Sequence, residues 1–242
     1  MRITQSGLAL DLTSDAIDEV NVLKTNLWDA ESHFDDGKDK TQFRDYEAAC
    51  ERVKNFYKEQ HEKQTVAFNI KARAEFKTRT RAHMGIWEAM EMLNTLVDES
   101  DPDTDLSQIE HLLQTAEAIR RDGKPEWMQV AGLVHDLGKL LHFFGSEGQW
   151  DVVGYLYHVL KDQSTLPFEA LAMIRYHSFY PWHRDGAYMH LTNEKDKESL
   201  AAVRAFNPYD LYSKSDAPCD VAALRPYYEG LIAKFFPPVL NW

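Results

Sequence analysis

Hydrophobic positions recur at intervals of three and four along most of this chain, and no stretch alternates convincingly in the period of two that marks a half-buried strand. Residues 1–40 are the exception. They are polar and acidic with little periodicity, and we expect a loose N-terminal arm there. From Thr41 a helical pattern sets in: Phe43, Tyr46, Ala49, Val53, Phe56 and Tyr57 fall at helical spacings within TQFRDYEAACERVKNFYKEQHEKQTVAFNIKARAEF. A second helix is predicted over IWEAMEMLNTLVDES, stopping at Ser100-Asp101, because Pro102 disfavours helix at the residue before it. Asp105 or Ser107 is placed to cap IEHLLQTAEAIRRDG, which should end at Gly123. Pro125 suits the first turn of PEWMQVAGLVHDLGKLLHFF, and Gly138 and Gly145 punctuate its far end. Further helices are expected over DVVGYLYHVLKD, over PFEALAMIRYHSF ending before Pro181, over DKESLAAVRAF, over PYDLYSK opening at Asn207-Pro208, and over RPYYEGLIAKFF. No Asn-Gly hairpin signal, Gly-rich phosphate loop or internal repeat interrupts this pattern. The fold class is therefore read as all-α, with a single domain over residues 41–242.

Composition narrows the function. Of 242 residues 44% are hydrophobic, enough for a sizeable core. The net charge of −12, from 39 acidic and 27 basic residues, argues against nucleic acid and against an anionic membrane surface as partners. Cys50 and Cys219 stand far apart and in no C-x-x-C pattern, so a reducing compartment is expected. The N-terminus makes a poor signal peptide, and no uninterrupted apolar run approaches the ~20 residues of a membrane helix. A cytoplasmic, soluble protein is the expectation, and we expect it to be a monomer.

The chemistry is carried by imidazoles and carboxylates. In LVHDLGKLL the adjacent His135 and Asp136 are flanked by apolar residues on both sides. A carboxylate buried there needs compensation, either by a metal ion or, more plainly, by a cation such as Lys139 one turn on. His111 lies on the amphipathic segment IEHLLQTAEAIR, where a single His is more often structural than a ligand. His177 in RYHSFYPWH is a ligand or part of an aromatic corner with Phe179, Tyr180 and Trp182. Asp210 and Lys214 in YDLYSK form an ordinary helix pair or a site. A His, then a His-Asp pair 24 residues later, then a distant Asp follows the ligand order of the HD superfamily. A ligand set without thiolates suits iron, manganese or zinc.

VDESDPDTD, HLLQTAEAIR, GLVHDLGK, MIRYHSFYPWH, YDLYSK and LRPYYEGLIAKF resemble, in order, the signature segments of the myo-inositol oxygenase family, over residues 43–242. The resemblance implies an HD-domain-like helical bundle holding two iron ions. It implies the cleavage of the C1–C6 bond of myo-inositol with O2 to give D-glucuronate. Carried over residue by residue, His111, His135, Asp136 and Asp210 would hold the first iron. Asp136 would bridge to the second, which His177 also binds. Lys139 would hydrogen-bond the chelating substrate oxygen, acting with Asp136 in catalysis. Arg44, Asp98, Glu99, Ser100, Lys139, Gly154, His177, Ser178 and Lys214 match positions around the polyol.

The chain departs from the family at one place. A stretch of roughly fifty residues that the family carries after Val-Val-Gly is missing, and Gly154 runs directly into Tyr155-Leu156-Tyr157. That stretch holds the second His ligand of the second iron and a substrate-binding Asp. Val152 stands at the ungapped position of that His, and His158, six residues on, is not expected to replace it. Little or no oxygenase activity is expected of the shortened chain. The competing readings are an HD-type metal-dependent phosphohydrolase, disfavoured by Arg-poor surroundings, and a non-catalytic truncated isoform.

Overall fold

The computed structural model describes residues 27–43, 49–98, 100, 107–151, 154–215 and 217–242. The pattern-based expectation of an all-α chain holds. The described α-helices are α1 (Glu51–Lys63), α2 (Val66–Thr78), α3 (Ile86–Leu93), α4 (Gln108–Arg121), α5 (Glu126–Val134), α6 (Tyr155–Leu160), α7 (Phe168–Tyr176), α8 (Tyr180–His183), α9 (Glu194–Tyr212) and α10 (Val221–Phe235). The only strands among the described residues are the two-residue β1 (His83–Met84) and β2 (Leu240–Asn241), paired antiparallel.

Helices α4, α5, α7 and α9 form the centre. The α4 and α5 pair is the tightest, and Gly132 is why. A Cβ at that position would come within 2.8 Å of Ile119 Cδ1 and 3.3 Å of the Ala116 backbone, so a larger residue would make Ile119 move and press the two helices apart by a few tenths of an ångström. Leu112, Leu113, Ala116, Ile119, Met128, Val134, Met173, Phe206 and Tyr209 fill the core between these helices. α10 covers α5, and α2 lies against α6.

Several boundaries differ from the sequence pattern. The run from Thr41 is broken at Gln64-Thr65, where the Thr65 hydroxyl accepts a hydrogen bond from Phe68 N and starts a new helix, α2. α3 stops at Leu93, well before Ser100. Ser107 takes the N-cap position of α4 without a side-chain cap bond, and Asp105 lies outside the described residues. The two helices expected on either side of Asn207 are one. α9 starts at a capping box between Asn193 and Asp196 and runs through Pro208. The proline removes one backbone hydrogen bond, but Val203, Phe206, Tyr209 and Leu211 on both sides of it are buried, and their packing carries the helix across.

The largest difference concerns PEWMQVAGLVHDLGKLLHFF. It is helical in the α sense only to Val134, and residues His135–Phe144 then wind as a 3-10 helix ending at Gly145 in the left-handed conformation (φ 87°). Ten residues are long for this conformation, and such stretches often mark functional segments. With three residues per turn, positions 136 and 139 eclipse, which brings Lys139 over Asp136.

Of the loose arm expected over residues 1–40, the part up to residue 26 lies outside the described residues. Residues 27–43 run against α9. Lys124 Nζ donates to the Ala30 carbonyl (2.6 Å), Tyr209 to the Ser32 hydroxyl (3.0 Å) and Lys38 to the Tyr212 carbonyl, while Phe34 packs on the Tyr209 ring (5.1 Å). No helix among the described residues is long and apolar enough to cross a membrane.

Candidate metal centre

Four elements deliver the ligand atoms to one point. α4 supplies His111, the start of the 3-10 helix supplies His135 and Asp136, α9 supplies Asp210, and the end of α7 supplies His177. His111 Nε2 and His135 Nε2 are 3.2 Å apart, and Asp210 Oδ1 lies 3.3 and 3.4 Å from them. Asp136 Oδ2 is 3.7 Å from both imidazole nitrogens, while its other oxygen, Oδ1, is 3.4 Å from His177 Nε2. Two atoms each about 2.1 Å from one ion lie about 3.0 Å apart at a right angle and about 3.4 Å at the tetrahedral angle. His111, His135 and Asp210 therefore fit a single metal ion, with Asp136 Oδ2 beside them a little further off. Asp136 faces that position with one oxygen and His177 with the other, the arrangement of a bridging carboxylate. Within the described residues the second position has only His135, Asp136 and His177 around it, and His135 already serves the first.

Hydrogen bonds set the tautomers. His135 Nδ1 donates to the Gly132 carbonyl at 2.7 Å and His177 Nδ1 to that of Ile174 at 3.0 Å, which leaves each Nε2 lone pair for a metal. Burial depresses the pKa of His111, keeping it neutral. For Asp136 and Asp210 burial pushes the pKa up, but it is outweighed: Lys139 and His135 hold Asp136, and the His111 and His135 contacts hold Asp210, well below the usual carboxylate range. Burial pushes the His135 pKa down, but Asp136 and Asp210 outweigh burial and raise it, so a divalent ion binding there takes the place of a proton.

The ion-pair reading of Asp136 is realised, and it leaves the carboxylate within the candidate metal cluster. Lys139 Nζ sits 2.6 Å from Asp136 Oδ2 and 2.7 Å from Asp98 Oδ2, with Gln108 Oε1 further off at 3.5 Å. Burial disfavours its charge, yet the two carboxylates outweigh this and raise its pKa. Burial also pushes Asp98 up, and the Lys139 charge brings it down to about 2.

The ligands open into a cavity of about 800 Å³. Asp98, Ser100, Lys139, Gly154, His177, Ser178 and Lys214 all line it, whereas Arg44 and Glu99 lie outside the described residues. Asp98 itself accepts from the Ser100 amide and hydroxyl at 2.8 and 2.7 Å. The expectation of Arg-poor surroundings is not met, because Arg175 and Arg184 also line the cavity. Sequence reasoning assigned Tyr180 only a packing role and Tyr57 only a place in the helical pattern, whereas the Tyr180 hydroxyl reaches Asp210 Oδ2 at 3.3 Å and Tyr57 lines the cavity. The run HSFYPWH was the available signal for Tyr180.

His158 stays out of the centre, as its spacing predicts. It does not line the cavity or join either ligand group. Its ring packs near Phe76 (5.9 Å) and Tyr157 (5.4 Å), and its buried Nδ1 finds no partner among the described residues. Burial first, and the Arg175 charge second, depress its pKa to about 4. The unfolded chain takes up a proton near pH 6.5, so stability from neutral His158 is full above that pH and is lost as pH falls toward 4. His158→Phe should flatten the melting-temperature profile between pH 6.5 and 5, by on the order of 1 kcal/mol after allowing for solvent screening. An unchanged slope in that variant would refute the assignment.

The all-helical fold and the convergent His, His-Asp and Asp side chains define a metal-site domain of the HD type. The family model described as myo-inositol oxygenase matches the chain in two segments, residues 50–155 and 154–242. A probable inositol oxygenase of Oryza sativa subsp. japonica is 43% identical, over 83% of this chain and 85% of its own length. Inositol oxygenases of Dictyostelium discoideum and Danio rerio are each 38% identical, over 86% and 85% of this chain and 92% and 95% of their own lengths. The chain belongs to the myo-inositol oxygenase family.

The comparisons also locate a gap. The rice alignment runs over 261 positions, whereas 83% of 242 residues is about 201, so about 60 positions lack a counterpart here. The two matched segments of the family model meet at Gly154-Tyr155, where the family resemblance put the missing stretch.

Proposed function

We propose that this chain carries the metal and myo-inositol site of an inositol oxygenase, with the first iron position complete and the second deficient in protein ligands. The observation supporting this most is the convergence of His111, His135 and Asp210 at single-ion spacing, with Asp136 beside them and turned toward His177 through its other oxygen. When bound, iron supplies the O2-activating redox chemistry that amino-acid side chains lack.

The chain's own residues do the rest. Asp98, Ser100, Ser178 and Lys214 offer the mixture of donors and acceptors that a polyol needs, and a site that hydrogen-bonds hydroxyls discriminates strongly against analogues lacking them. Lys139 has two strong carboxylate acceptors and one weak amide acceptor, Gln108 at 3.5 Å. A substrate hydroxyl oxygen would replace the weak one and accept that N–H, so Lys139 would stabilise negative charge on that oxygen. Lys139 and Asp136 are in this sense the catalytic pair.

The deficiency lies at the second position. His177 and one Asp136 oxygen leave an ion there weakly held, so cleavage of the ring to D-glucuronate by this chain is expected to be slow or absent. The test is to express the chain, load it with iron, count the metal and assay both inositol binding and glucuronate release. One tightly held iron per chain with inositol bound and little product supports the reading. Turnover close to that of the Dictyostelium relative overturns the deficiency, and phosphate release from nucleotides without inositol binding would favour a phosphohydrolase around Arg175 and Arg184 instead.

A further inference from the structure

The motif HSFYPWH contributes one ligand, His177, and the other six residues need a reason. Helix α8 is a single turn built from four of them. Tyr180 opens it, and its phenol hydroxyl donates to Asp210 Oδ2 at 3.3 Å. The other oxygen of that carboxylate, Oδ1, is the one facing His111 and His135. Asp210 is only 2% exposed, so little of the carboxylate meets the water of the cavity it lines. At the other end of the turn, His183, 3% exposed, donates from Nε2 to the His177 carbonyl at 2.8 Å. Arg204 Nε on α9 in turn donates to the His183 carbonyl at 2.9 Å, linking the turn to the helix that bears Asp210.

We propose that α8 is a positioning clamp for the metal centre: Tyr180 holds Asp210 to coordination through one oxygen, and His183 fixes the chain position from which His177 projects. The inference rests on the metal-binding reading above. The physical argument concerns Oδ2. Without the phenol, a buried carboxylate oxygen loses its donor. It recovers one by admitting water or by swinging toward the ion so that both oxygens bind. Either change alters the number of ligands and the geometry around the metal. Partners that orient ligating groups in this way typically contribute 10- to 100-fold to metal affinity.

The test uses the full chain and Co2+ as the probe, because its visible absorption reports coordination number. Tyr180→Phe removes one hydroxyl. Phe179→Leu perturbs the neighbouring side chain, which stacks on Tyr188 and Trp182, as a control for packing. Each metal-free variant is first melted, and Co2+ is then titrated against a competing chelator. The expected result is a Kd raised 10- to 100-fold and a shifted visible band in Tyr180→Phe, with the metal-free melting temperature and the Phe179→Leu values close to those of the parent. Because His177 faces the second position, His183→Gln, which keeps an N–H donor, should retain the weak uptake of a second Co2+ at excess metal better than His183→Leu, while the Kd of the first ion stays near that of the parent in both. A Kd within twofold of the parent with an unchanged band in Tyr180→Phe overturns the clamp, as does an equal loss in Phe179→Leu. A parent chain that takes up no Co2+ removes the metal-binding reading itself, and the clamp with it.

Discussion

Asp136→Asn should empty the metal centre, lowering bound metal from one ion per chain to less than a tenth of that, as read by elemental analysis after dialysis. One carboxylate is shared among three tasks here. Its Oδ2 faces His111 and His135, its Oδ1 faces His177, and Oδ2 also takes the Lys139 ammonium. An amide keeps the shape and loses the charge, so the ion faces Asp210 as its only anionic ligand and the bridge direction disappears. Lys139, half-buried, is left with Asp98 as its one carboxylate partner and the weak Gln108 contact. Removing one partner of a buried charge pair costs about 3–5 kcal/mol. The metal-free variant should therefore also unfold at lower denaturant, by about 3 kcal/mol, in contrast to Tyr180→Phe. His177→Ala is the informative comparison, since it touches the second position alone and should leave the first ion bound. An Asp136→Asn chain that retains the metal content of the parent would show that the four residues cluster without forming a site.

The parts of this centre differ in how visible they were in the sequence. His135 and Asp136 stood out because two ionisable groups in an apolar segment demand an explanation. Asp210 was visible only through the family resemblance. The local pattern suggested a new helix at Pro208, while the observed α9 runs through it on the strength of buried neighbours such as Phe206 and Tyr209. His111 reaches its place because Gly132 lets α4 and α5 approach closely, a tertiary fact with no local signature. The 3-10 winding of His135–Phe144 was likewise invisible, since its hydrophobic pattern fits an α-helix. Yet that winding decides that Lys139 eclipses Asp136. The Gln64-Thr65 break was legible in principle, because Thr is a good N-cap, but an unbroken run of helix formers on both sides masked it. Tyr180 was hidden for another reason: its role depends on which Asp210 oxygen faces the histidines, and spacing along a chain carries no such information.

Restoring the family segment should restore the second metal position. The rice relative carries about 60 positions with no counterpart here, and the family match restarts at Gly154. The resemblance puts the second His ligand of the second iron within that stretch. The junction can accept an insertion for a local reason. Gly154 has φ 70°, in the left-handed region, and a Cβ there would meet nothing within 4 Å, so the chain turns at an open point on the cavity wall. Tyr155 begins α6 with its own core contacts, being 1% exposed, and so has an anchor independent of what precedes it. Inserting the rice segment between Gly154 and Tyr155 should raise bound iron from one to two per chain. It should raise the rate of glucuronate formation at least about 100-fold, equivalent to about 2.7 kcal/mol of barrier. A flexible Gly/Ser insert of equal length should do neither, and replacing the segment's single ligand His by Ala should return the chain to one iron. If the filled chain still binds one iron and turns over at the rate of the parent, the deficiency at His177 lies elsewhere than in the missing ligand.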